Sequence, residues 1–109
     1  MPSFSKNEVI LVRYPFTDLS GIKVRPAIAV HAPHSSQDLV IVPLTSQVSS
    51  LQAGEFALAN WSACGLNLPS AVKRGIYTVH PTLVVKQLGQ LTTPDANSLE
   101  QSLRLWLGL

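Results

Sequence analysis

The sequence predicts one small, mostly β domain closed by a single C-terminal helix. Three observations predict it. Short β-branched apolar runs recur from residue 8 to residue 88, separated by turn residues. Helical spacing of apolar residues is confined to the stretch after Thr93. The chain has 109 residues, 46% hydrophobic and only 13% charged, which suits one core rather than two and is the reverse of a disordered composition.

Residues 8–14, Glu-Val-Ile-Leu-Val-Arg-Tyr, are nearly all apolar and read as a well-buried strand ended by Pro15. Asp18, Ser20 and Gly21 then supply turn chemistry. Residues 24–31 resume a strand with Pro26, which lacks a backbone donor, at its start or on an edge. Pro33 to Gln37 is a turn, and residues 38–44 form the third strand. Such close spacing favours an antiparallel meander over helix-linked parallel pairs.

Residues 47–54 are polar and small and read as a loop, followed by a short strand at 55–58. Trp61 to Pro69 is loop, and 70–79 and 84–88 are further strands, with His80-Pro81-Thr82 between them. Thr93 is the expected helix cap, Pro94 suits the first helical position, and Asp95 complements the positive end of the dipole. Ala96, Leu99, Leu103 and Trp106 form one apolar stripe, and Gly108 is the expected stop.

Composition excludes several function classes. The lone Cys64 has no partner for an intramolecular disulfide and no evident activating neighbour, so it reads as a small buried apolar residue. The apolar runs are too short for a signal peptide core or a membrane span, which makes a soluble cytoplasmic protein the expectation. A phosphate loop, paired cysteines, a zinc-protease helix and a nucleophile elbow are all missing. His31 and His34 make a metal cage only if a carboxylate such as Asp38 joins them, and a surface turn is the better reading. No metal and no cofactor are implied. The net charge of +2 permits an anionic partner without demanding one.

Four blocks, in order, carry a resemblance. The first is Asn7 to Ala27, a strand followed by Pro-Phe-Thr-Asp-Leu-Ser-Gly and an Arg-Pro-Ala strand. The others are Val42-Pro-Leu-Thr-Ser-Gln, Gly65-Leu-Asn-Leu-Pro-Ser-Ala-Val-Lys, and Leu88-Gly-Gln-Leu before the helix. Together they resemble the PemK/MazF-like toxins of type II toxin–antitoxin systems over nearly the whole chain, 1–109. The resemblance implies a small SH3-like barrel of antiparallel strands with a C-terminal helix, acting as a homodimer. It implies a metal-independent endoribonuclease that cuts single-stranded RNA to a 2′,3′-cyclic phosphate and a 5′-hydroxyl. It also implies a cognate antitoxin that blocks the RNA groove.

That chemistry needs a base for the 2′-hydroxyl, an acid for the leaving oxygen and positive charge beside the phosphate. By the resemblance, Lys73 stands where the family carries a phosphate-binding Arg, and Arg74 follows it. Neighbours on a strand face opposite ways, so both line one groove only if the strand bends, as Gly75 permits. Otherwise they are solvated strand charges. The family's Asp two residues after that Arg is unmatched here, since Gly75 holds the place. Glu8 is the candidate base, with a strand-start charge as its alternative, and His80 is a second candidate, with a turn as its alternative. Thr45 and Ser46 match the family's hydroxyl pair and also read as a simple turn. Arg25 is assigned to RNA or to bracing the preceding loop, Asp18 to that loop's hydrogen bonds, and Ser70 to the groove wall. The unmatched Asp sustains a second reading, a non-catalytic toxin of the same fold that binds RNA or inhibits a topoisomerase.

Overall fold

The computed structural model describes residues 4–14, 23–31 and 38–109. Strand β1 (Glu8–Tyr14) lies between two antiparallel neighbours, β2 (Lys23–Ala29) and β7 (Val84–Gln90). Strand β3 (Leu39–Thr45) pairs with β2, which completes the expected meander. The far edge of β3 is shared. Strand β6 (Tyr77–Val79) pairs with Leu39–Ile41, and β5 (Ala71–Val72) pairs with Leu44 and Thr45. Strand β4 (Phe56–Ala57) extends the sheet beyond β5. The order is β4-β5-β3-β2-β1-β7, with β6 also on β3.

The near-continuous apolar runs have a direct structural cause, because the central strands are buried on both faces. Val9, Ile28, Val42 and Leu44 belong to a core on the helix side, with Leu58, Cys64, Val72 and Leu99. Ile10, Val12, Ala27, Leu39, Ile41 and Val79 belong to a second core, with Phe4. Alternation along β1 therefore feeds both cores in turn. Burying each Val, Leu, Ile or Phe side chain among these contributes roughly 1.5–3 kcal/mol before chain entropy opposes it.

Helix α1 (Thr93–Leu107) carries the apolar stripe onto the helix-side core. Leu99 is buried there, and Ala96, Leu103 and Trp106 pack around it. Gly108 ends the helix in the left-handed region at φ 71°, its N–H returning to the Arg104 carbonyl. The cap lies one residue earlier than expected, at Thr92 rather than Thr93. Pro94 has no amide proton to satisfy, and the Thr92 carbonyl already accepts the Ala96 N–H at 2.8 Å. Among the described residues, no helix is long and apolar enough to cross a membrane.

A second difference matters for the site. Residues 70–79 do not form one strand. Strand β5 ends at Val72 and β6 starts at Tyr77; Lys73 N–H still donates to the Pro43 carbonyl at 3.0 Å, and the chain then turns a corner before Tyr77. The turns expected around Asp18 and His34 lie outside the described residues.

Candidate functional site

A groove of about 720 Å³ opens on the sheet where β2, β3 and β7 meet the segment 65–74. Its floor is apolar, built from Leu11, Pro26, Pro43, Leu44, Leu66 and Leu88. Its walls are polar and basic. Lys23 and Arg25 come from β2, Lys73 and Arg74 from the corner after β5, and Lys86 from β7. These five are most of the eight basic residues in the chain, so the groove concentrates a positive field that the net charge of +2 conceals. Among the described residues, no carboxylate and no imidazole lines it.

The corner explains how adjacent cations share one groove. Lys73 N–H still bonds the Pro43 carbonyl of β3, but Arg74 N–H turns to the Glu55 carboxylate, so strict strand alternation ends between them and both residues line the groove. Gly75 has φ 157°, and a Cβ there would meet Cε2 of Tyr77 at 2.9 Å, so the ring of Tyr77 sits against the Gly75 backbone. Thr45 and Ser46, at the end of β3, lie in the same groove, where Thr45 Oγ1 accepts the Gln47 N–H at 3.1 Å. Ser70 is buried in the wall, and its hydroxyl donates to the Leu68 carbonyl at 3.0 Å.

The structure thus brings together Lys73, Arg74, Thr45, Ser46, Ser70 and Arg25. It does not bring Glu8 to them. Glu8 stands opposite Ala29, four residues and so about 13 Å along β2 from Arg25. It does not line the groove, and its Oε1 accepts the Ser5 N–H at 2.9 Å. His80 is also absent from the groove. It caps a 3-10 turn at Pro81–Leu83, with Nδ1 accepting the Thr82 N–H at 3.2 Å. Asp18 lies outside the described residues. His31 Nδ1 accepts the Val40 N–H at 3.4 Å, and no metal-binding cluster occurs among the described residues.

Sequence reasoning passed over Lys23, Lys86, Gln47, Asn67 and Tyr77, which also line the groove. Lys86 reaches it only because β7 pairs with β1, setting Lys86 opposite Leu11. It also passed over Glu55, half-buried at the groove's border. The Glu55 carboxylate accepts the backbone N–H of Arg74 at 2.9 Å and of Gln52 at 2.8 Å. The bond from Arg74, then that from Gln52, holds its pKa below the ordinary carboxylate value, and the charges of Lys73 and Arg74 lower it further.

No family model and no curated protein matches the chain. Solved structures do match in shape. A mycobacterial endoribonuclease in complex with its cognate antitoxin superposes with a TM-score of 0.77 at 19% identity, covering 96% of this chain and 95% of that one. A mycobacterial endoribonuclease superposes at 0.76 and 21% identity, covering 100% and 95%. The MazF-mt6 toxin of Mycobacterium tuberculosis superposes at 0.71 and 20% identity, covering 94% and 97%. Matches that span both chains almost end to end, strands and terminal helix together, establish that this chain has the fold of the MazF-type endoribonuclease toxins.

Proposed function

We propose that this chain is the toxin of a toxin–antitoxin pair and a metal-independent endoribonuclease acting on single-stranded RNA. The observation that carries the reading is the groove itself. Basic residues from three separate segments line one groove together with apolar ones, and no described carboxylate lines it. Single-stranded nucleic acid needs such a combination, charge along the backbone and apolar or aromatic surface under the bases. The structural likeness to endoribonuclease toxins raises the weight of this reading.

In the proposed reaction the 2′-hydroxyl attacks the adjacent phosphorus and the 5′-oxygen departs, leaving a cyclic phosphate. Arg25, Lys73 and Arg74 stabilise the charge that grows on the phosphoryl oxygens, and the Thr45 hydroxyl adds a donor. Arg25 and Arg74 also offer planar forks for bidentate contact, which Lys73 lacks. Lys23 and Lys86 extend the charge along the groove for neighbouring phosphates. By analogy with the antitoxin-bound neighbour, the chain binds a cognate antitoxin. The resemblance of its sequence to the PemK/MazF-like toxins further implies that the antitoxin fills the groove and that the chain acts as a cytoplasmic homodimer.

The test is incubation of the purified protein with long single-stranded RNA in EDTA, with the new ends mapped. The variant Arg25→Ala with Lys73→Ala and Arg74→Ala runs beside it. Cleavage to cyclic phosphates, abolished in the variant, is the expected result. RNA that is bound but left intact would favour the non-catalytic reading, which the lack of any described carboxylate or imidazole in the groove keeps in contention.

A further inference from the structure

We infer that Glu55 is a positioning residue for the cationic corner of the groove, holding Lys73 and Arg74 where a phosphate backbone passes. The identity of the ligand rests on the reading just given. The role of Glu55 in fixing the corner rests on geometry alone.

The β4–β5 ladder shows what Glu55 replaces. Leu58 N–H donates to the Ser70 carbonyl at 2.9 Å, and Phe56 stands opposite Val72. Hydrogen-bonded pairs recur every second residue in an antiparallel ladder, so the next partner of the Arg74 N–H would be the Gly54 carbonyl. That carbonyl faces α1, where it accepts the Ser102 hydroxyl at 2.6 Å. The chain turns away at Gly54, where φ is 84°, and the Glu55 carboxylate accepts the Arg74 N–H instead. The preceding amide, Lys73 N–H, is held from the other side by the Pro43 carbonyl of β3 at 3.0 Å. Consecutive amides at the corner are therefore clamped by different partners.

Glu55 is itself fixed. Its N–H donates to the Gln52 carbonyl at 2.9 Å while its carboxylate accepts the Gln52 N–H, which closes the 52–55 turn in both directions. The last turns of α1 hold that turn in place. Ser102 binds Gly54, and Trp106 Nε1 donates to the Ala53 carbonyl at 3.0 Å. A Cβ at Gly54 would fall on the Trp106 indole, so glycine is required both for the backbone angle and for this approach. The relay runs from α1 through the 52–55 turn and Glu55 to Arg74.

Glu55 is poorly suited to act as the base. Both carboxylate oxygens accept backbone N–H groups, and Lys73 and Arg74 stand close by, so the anion is favoured and its proton affinity is low. Electrostatics and positioning also predict opposite signs for its removal. Deleting a carboxylate beside the groove should tighten polyanion binding if charge alone mattered. Loss of the clamp should weaken it.

The experiment measures binding of a single-stranded RNA oligonucleotide against salt for the wild type, Glu55→Ala and Glu55→Gln, with exchange of the Arg74 amide followed by NMR. Glu55→Ala is expected to bind about tenfold more weakly, and its salt slope to fall by about 0.7–1.4, the equivalent of one or two phosphate contacts on a single strand. Its Arg74 amide should lose protection. Glu55→Gln retains an acceptor oxygen and should stay within about twofold of the wild type. Binding by a folded Glu55→Ala as tight as or tighter than the wild type would overturn the inference and leave the RNA reading standing. If the wild type binds no RNA, the RNA reading fails, and the Arg74 amide alone decides whether Glu55 holds the corner. Should Glu55→Ala not fold, Ser102→Ala and Trp106→Phe loosen the same turn and should weaken binding in the same direction, while unchanged binding in both would overturn the relay.

Discussion

The carboxylate of Asp95, in the first turn of α1, accepts the backbone N–H of Ala59 at 2.9 Å across 36 residues of chain. It accepts the Asn60 N–H as well, at 3.0 Å, and is 2% exposed. The sequence suggests a helix-dipole role for this residue, and the structure adds a second one. Asp95 ties the 58–66 loop to the helix, and that loop leads directly to Leu66 and Asn67, which line the groove. Asp95→Ala should destabilise the protein by about 3 kcal/mol, because two amides lose a charged acceptor. Asp95→Asn, which keeps one oxygen, should cost clearly less. Urea unfolding of both variants measures the difference, and equal losses would contradict the bonding scheme.

Lys86 belongs neither to β2 nor to the corner after β5, yet the β1–β7 pairing places it opposite Leu11 on the groove floor. Lys86→Ala should weaken single-stranded RNA binding severalfold and lower the salt slope by about 0.7, with little change in stability, since the residue is exposed. Titrations at several salt concentrations read both. An unchanged slope would place the RNA path elsewhere in the groove.

The two examples show what the sequence can and cannot carry. Val9 to Val12 and Leu39 to Leu44 are apolar on both strand faces, so their burial and strand state were legible from residue type alone. The stripe from Ala96 to Trp106 was legible from spacing. Lys73 and Arg74 stand out in the sequence, and Gly75 permits the bend that lets both line one groove. Where the ladder ends depends on partners distant in sequence, Pro43 with no N–H to return to Lys73 and the Glu55 carboxylate that takes the Arg74 N–H. Glu8 has suitable chemistry but sits at the far end of its strand, opposite Ala29 and four residues from Arg25 along β2. Glu55 is an ordinary acidic residue in sequence and gains its role only from the turn of the chain at Gly54, which brings its carboxylate to the Arg74 N–H.

Gly65 shows a backbone constraint of another kind. Its φ is 85°, and a Cβ there would fall on the backbone carbonyl of Leu88 in β7. Gly65→Ala should therefore cost at least about 2 kcal/mol, from a strained left-handed residue and a rigid backbone contact together. Since Leu66 and Leu88 both line the groove, the same change should weaken ligand binding. Thermal unfolding compared with Gly108→Ala separates the two contributions. Gly108 has a similar φ of 71° but nothing within contact distance of an added Cβ, so it should lose only the conformational part.

The pH dependence of the corner follows from Glu55. Its pKa is depressed in the folded protein, chiefly by the bond from the Arg74 amide and then by that from the Gln52 amide. A depressed carboxylate contributes stability that is fully present above its unfolded value and is lost as pH falls through its folded value. The clamp should therefore be indifferent to pH from neutrality down to the ordinary carboxylate range and fail only below it. Glu55→Gln cannot titrate there. The wild type should be more stable than Glu55→Gln near neutral pH, and the gap should close as the solution is acidified below that range. Melting temperatures of both proteins across an acid series test this. A gap that widened on acidification would mean that the carboxylate is destabilised by folding, and the bonds to Arg74 and Gln52 could not then be what holds it.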